Sequence, residues 1–161
     1  GDFACTMARQ YFVDQFGLAF MDALTRSTDE RLAGIAAKAL KESRYHLRRS
    51  RDWMLRLGDG TQESHRRLQD GVDELWGFLP EMFLMDPLER ELADAGVAVD
   101  VSVLQASWQS AVASTLEEAT LTEPGSDWQV SGGRQGIHTE HLGHMLSELQ
   151  FMQRAYPGLQ W

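Results

Sequence analysis

Apolar residues recur at helical spacing along most of this chain, and the breaks in that pattern set the expected element boundaries. From Phe3 to about Arg26, Met7, Tyr11, Phe12, Phe16, Ala19, Phe20 and Leu24 mark a proline-free stretch and predict a long helix. Ser27, Thr28 and Asp29 supply turn and N-cap chemistry for a second long helix, Asp29 to Leu57, which the Gly58-Asp59-Gly60 turn stops. These two are expected to run antiparallel. A third helix should run from about Gln62 to Phe83, with Leu68, Val72, Leu75, Trp76 and Leu79 on its apolar side and Pro80 kinking it or ending it early. Pro87 can open a short helix carrying Leu88 and Leu92, which Gly96 closes. Val97-Ala98-Val99 is too short and isolated to pair as a strand, whereas Val101 to Ala119, with Leu104, Trp108, Val112 and Leu116, predicts another helix. A segment rich in Thr, Gly, Pro and Ser between Thr120 and Gln135 reads as a loop, and a last helix follows until Pro157-Gly158. No internal repeat or low-complexity tract is present.

The sum is an all-α chain, expected to form one helical domain over residues 1–161 as a bundle. With 161 residues, 43% of them hydrophobic, it has the material for a sizeable core. A net charge of −9 argues against nucleic-acid binding, which needs a clustered positive surface. The densest basic run, Arg44 to Arg56, reads either as a solvated helix face or as an anion site. A single cysteine, Cys5, excludes an intramolecular disulfide and suits a reducing cytoplasm. No apolar run approaches the ~20 residues a membrane span needs, so a soluble cytoplasmic protein is the expectation. The opening Gly1-Asp2-Phe3 enters an amphipathic pattern without an initiator methionine, as expected of a chain that starts inside a longer protein.

Two regions carry candidate chemistry. In the C-terminal stretch His138, His141 and His144 recur every three residues, drifting along one side of the expected helix with Glu140 beside them. The cluster reads either as a metal site or as a polar first turn ahead of a core-facing stripe of Met145, Leu149 and Met152. On the first helix Asp14 falls in the row Met7, Tyr11, Asp14, Leu18, Met21, which points a carboxylate towards the core. The expected inner row of the second helix is Leu32, Ile35, Ala39, Ser43, His46, Ser50, Trp53, Leu57, a histidine between two serines. A buried carboxylate without a partner is costly, so Asp14 should be hydrogen-bonded, paired or metal-bound.

Four segments, GDFACTMARQYFVDQF at the start, AAKALKESRYHLRRS at 36–50, GVAVDVSVLQASWQ at 96–109 and GIHTEHLGHMLSELQFMQRAYPGLQW at 136–161, occur in the order of a known family. Together they resemble the PaaC-type structural subunit of the bacterial phenylacetyl-CoA epoxidase, over nearly the whole chain. The resemblance implies a ferritin-like helical bundle, with the family's first two bundle helices absent from this chain. It also implies a catalytic paralogue as partner, which holds the di-iron centre and epoxidises the aromatic ring, and a reductase in the wider complex.

In that paralogue the helix resembling Lys38 to Ser50 carries a Glu-x-x-His pair. On the match His46 takes the histidine position, Asp14 a carboxylate position and Ser43 the glutamate position. Serine cannot bridge two irons, and Glu42 lies about 100° around the helix from the required direction. The resemblance therefore implies a degenerate site without metal or cofactor in this chain, with Asp14, Ser43 and His46 in a polar network. A mononuclear site using Glu42 and His46 stays open.

The leading expectation is a non-catalytic structural subunit that docks with and stabilises a di-iron catalytic subunit of phenylacetate degradation. Trp108, Trp128, Tyr156 and Trp161 are candidate interface anchors as well as candidate core residues. Apolar rows that the absent helices would cover imply self-association, or association with that missing segment. The alternatives are a free-standing ferritin-like oxidase using Asp14, His46 and Glu140 with His141 or His144, and a CoA-ester binder using Arg44, Arg48 and Arg49. Nucleophilic hydrolase, nucleotide-binding and zinc-finger readings lack their local signatures.

Overall fold

The computed structural model describes residues 1–125 and 128–160 and is all-helical, in agreement with a ferritin-like bundle. It separates into two compact units, Gly1–Val130 and Ser131–Trp161.

The first unit is built around α1 (Phe3–Leu24) and α2 (Glu30–Gly58). Asp2 caps α1 by accepting from the Cys5 amide at 3.0 Å, and Asp29 caps α2 by accepting from the Arg31 and Leu32 amides. Phe3, near the start of α1, meets Trp53, near the end of α2, with ring centroids 5.1 Å apart, so the two helices run antiparallel. α3 (Gln62–Trp76) begins with a reciprocal Thr61/Ser64 capping box. It ends earlier than the apolar pattern suggests. Pro80 cannot continue an α-helical hydrogen-bond ladder, and the chain tightens into a 3₁₀ turn at Leu79–Phe83.

Pro87 occupies the first turn of α4 (Pro87–Asp94), behind an Asp86/Glu89 capping box. The helix is followed by Gly96 at φ +72°, where a side chain would be strained. The helix expected from Val101 starts with a 3₁₀ turn at Val101–Leu104, capped by Asp100, and becomes α5 (Gln105–Glu118).

The core gathers Ala4, Ala8, Tyr11 and Phe12 of α1, Met54 of α2, Leu68 and Val72 of α3, and Trp108, Val112 and Leu116 of α5, with Leu79 and Phe83 beneath them. Trp108, a candidate interface anchor, is core instead. It is 4% exposed, packs against Phe12 and Phe83, and donates its indole N–H to the Phe12 carbonyl at 3.1 Å. Two glycines permit close approach. A Cβ on Gly71 would sit 2.7 Å from the Cys5 Cα, and one on Gly58 only 2.2 Å from the Ala119 carbonyl oxygen.

The second unit holds a 3₁₀ turn at Gly133–Gln135, then α6 (Glu140–Leu149) and α7 (Phe151–Ala155), separated at Gln150. The single helix expected here is thus two, and the stripe expected to face a core does not: Met145, Leu149 and Met152 are all exposed. Gly158, at φ +85°, follows the last turn.

Candidate functional site

The α1 face that carries Met7, Gln10 and Asp14 is one side of a helix, because residues three, four and seven apart stack over one another. It lies against Arg49 and Ser50 of α2, and with His46 these six residues line an open pocket of about 260 Å³. Asp14 is the chemically unusual member, only 8% exposed although it is a carboxylic acid. Its Oδ1 accepts a 2.7 Å hydrogen bond from the Gln10 side-chain amide, one turn earlier on α1. Its Oδ2 is buried and has no hydrogen-bond partner among the described residues. The inward carboxylate is where the periodicity placed it. Its partner, Gln10, was not anticipated, although a glutamine four residues before an aspartate on one helix face is a readable signal.

The α2 side is more open than its sequence row suggested. The buried positions of α2 are Ala36, Leu40, Ser50, Met54 and Gly58, whereas Leu32, Ile35 and His46 of the expected inner row are exposed. The two rows lie side by side on the helix and share Ser50; the first is buried, while the second is half-buried at Trp53 and Leu57 and open at Leu32, Ile35 and His46. His46 keeps its place at the pocket rim. Ser43 does not reach the pocket: its hydroxyl donates to the Ala39 carbonyl at 3.1 Å, one turn back along its own helix. Ser50 likewise donates to the His46 and Leu47 carbonyls. No hydrogen bond joins Asp14, Ser43 and His46, so the expected network among those three is not formed. A serine hydroxyl inside a helix can satisfy itself on the second lone pair of a carbonyl one turn back.

Glu42 is exposed on α2. In the second unit, His138 precedes α6, whose first residue is Glu140, so only His141 and His144 of the three histidines are helical, and all three are exposed. Among the described residues, no three His, Cys, Asp or Glu side chains come together to hold a metal ion. A carboxylate-bridged di-iron centre draws a carboxylate from each of two helices and a Glu-x-x-His pair from each of two more. The pocket offers one carboxylate and one imidazole, and this donor set does not fit such a centre.

Of the other candidates, Trp128 is 44% exposed and meets Phe78 edge-on at 5.3 Å, Tyr156 is exposed, and Trp161 lies outside the described residues. Arg44, Arg48 and Arg49 are exposed and diverge: Arg48 lies over the Tyr45 ring while Arg49 lines the pocket.

A model of the family described as "Phenylacetic acid catabolic protein" matches residues 1–161. The chain belongs to this family. It is also 47% identical, over all 161 residues, to one of the subunits of the 1,2-phenylacetyl-CoA epoxidase of Escherichia coli strain K12. The match covers 65% of that relative's length, so this chain spans somewhat less than two thirds of it. The all-α fold and the Asp14 pocket are thus those of a member of this family, and no described helix is long and apolar enough to cross a membrane.

Proposed function

We propose that this chain is a non-catalytic structural part of a phenylacetyl-CoA ring-epoxidising complex, acting in the cytoplasm, where it docks with and stabilises a paralogous di-iron catalytic subunit. A reductase would supply electrons to that catalytic subunit. The observation that carries the reading is the pocket itself. At the place where a catalytic relative would gather several carboxylates and two imidazoles, this chain presents Asp14 and His46, while Ser43 turns its hydroxyl back onto its own helix. The likeness to a subunit of the Escherichia coli epoxidase supplies the choice of complex.

In this reading the chain contributes shape and contact surface and no reacting atom. Exposed Phe3, Val13, Leu32 and Ile35 on α1 and α2 are apolar surface that association would cover, whether by a partner, by a second copy or by a further segment of the polypeptide.

The test is co-expression of this chain with a di-iron catalytic subunit of the family, followed by size-exclusion chromatography and an epoxidation assay. The two should elute together, and the variant Asp14→Asn with His46→Ala should support the same turnover as the unmodified chain. Separate elution, or loss of turnover from an intact complex of the double variant, would overturn the reading.

A further inference from the structure

Charge is unevenly divided in this protein. α2 (Glu30–Gly58) holds eight of the fifteen Lys and Arg but three of the twenty-four Asp and Glu, so it carries +5 while the other residues together carry −14. Within α2, Lys38, Lys41, Tyr45, Arg48 and Arg56 lie along one side of the helix at intervals of three, four or eight residues, a mainly basic ridge that Asp52 interrupts between Arg48 and Arg56 and that Glu42 flanks beside Lys38. All five are exposed. Among the described residues the ion pair from α2 is Arg51 with Glu118, and none engages Lys38, Lys41, Arg48 or Arg56. Two of the cations are held in place by neighbouring rings, Arg48 over Tyr45 and Arg56 over Trp53, each 5.6 Å from the centroid. Such stacking lowers the entropy lost when a guanidinium is fixed by a partner.

We infer that this ridge is a docking surface for a carboxylate-bearing helix of a partner protein. The geometry selects that occupant. At 1.5 Å rise per residue the ridge extends about 27 Å, far longer than a phosphate or other small anion, whose binding needs converging donors. A row of acidic side chains at helical spacing matches its length and its repeat. The −14 carried elsewhere disfavours a stiff polyanion or an anionic bilayer, because either extends past the ridge to meet the acidic remainder of the chain, whereas a flexible acidic polypeptide or a protein surface need meet only the ridge itself. The identity of the partner as the catalytic subunit rests on the function proposed above. The chemistry of the ridge does not.

The 161-residue chain is titrated at low salt with poly-L-glutamate, with inorganic phosphate and with phosphatidylglycerol vesicles, and its retention by the purified catalytic paralogue is measured separately. The unmodified chain should bind poly-L-glutamate, with affinity falling as salt rises. Lys41→Glu with Arg48→Glu should weaken that binding at least tenfold, the milder Lys41→Gln with Arg48→Gln should weaken it less, and Arg154→Glu, outside the ridge, should change it less than twofold. Unchanged affinity in both ridge variants, or tighter binding to vesicles or phosphate than to poly-L-glutamate, would overturn the inference. Should the unmodified chain bind poly-L-glutamate but not the catalytic paralogue, the proposed partner is wrong and the ridge assignment stands. Should the paralogue retain the ridge-reversed variant as well as the unmodified chain, the ridge is not the docking surface.

Discussion

Asp14 should destabilise the isolated chain, and removing its charge should make the chain more stable. The side chain is 8% exposed, Oδ1 is satisfied by Gln10 at 2.7 Å, and Oδ2 has no partner among the described residues. A buried acceptor left without a donor costs roughly 1–3 kcal/mol, and more when it is charged. Asp14→Asn keeps an oxygen for the Gln10 amide, replaces the orphaned oxygen with an N–H₂ that can donate into the pocket, and abolishes the charge. We expect a gain of about 1–2 kcal/mol, which for a domain of this size raises Tm by about 2–8 °C. Asp14→Leu, of similar size, should also be neutral or stabilising, because half-buried Gln10 can turn its amide to solvent. The assay is urea denaturation followed by far-ultraviolet circular dichroism, with the slope checked for constancy between variants. A loss of more than about 1 kcal/mol in both variants would refute the reasoning, because it would show that the carboxylate is already engaged by a group that stabilises it.

Three further predictions concern the scaffold. Trp108→Ala should cost about 3–5 kcal/mol, while Trp108→Phe should cost about 1–2 because it keeps a ring against Phe12 and Phe83 but loses the indole hydrogen bond to the Phe12 carbonyl; denaturation midpoints distinguish the two. Gly58→Ala should lose about 1–3 kcal/mol, since its Cβ would meet the Ala119 carbonyl at 2.2 Å, whereas Gly34→Ala, in the same helix with open space around it, should gain about 0.5–1; equal effects would contradict the packing described between α2 and α5. Burial raises the Tyr11 phenol above its ordinary value of 10.0, so the folded state holds that proton more tightly than the unfolded state. Its contribution is complete below pH 10 and is lost as pH rises beyond that, so Tyr11→Phe should flatten the alkaline fall in Tm, and an unchanged alkaline limb would count against it.

The helices were legible where local chemistry was decisive. Asp29 and Asp86 cap helices as side chains with a free acceptor should, and Pro80 ends α3 because it lacks an amide proton. The candidate site was half legible. A 3.6-residue period put Asp14 inward, but it could not show that Gln10 rather than Ser43 or His46 would be its partner, since that depends on side-chain reach across one turn. Periodicity also identifies an apolar face without saying what covers it. Met145, Leu149 and Met152 form a regular stripe and yet are exposed, as are Leu32 and Ile35, while the neighbouring row Ala36, Leu40 and Met54 is buried. The single expected domain gave no hint of the division after Val130, because the loop there carries the same turn residues as any other.

The measurement closest to the central claim is iron content, determined by elemental analysis on this chain purified alone and on its complex with a di-iron catalytic subunit. The account predicts no stoichiometric iron on the chain alone, even after loading with ferrous iron, and about two irons per catalytic subunit in the complex, as one carboxylate-bridged centre requires. About two irons per protomer on the chain alone, lost in Asp14→Asn or His46→Ala, would contradict it and make this protein a metal-dependent oxidase in its own right.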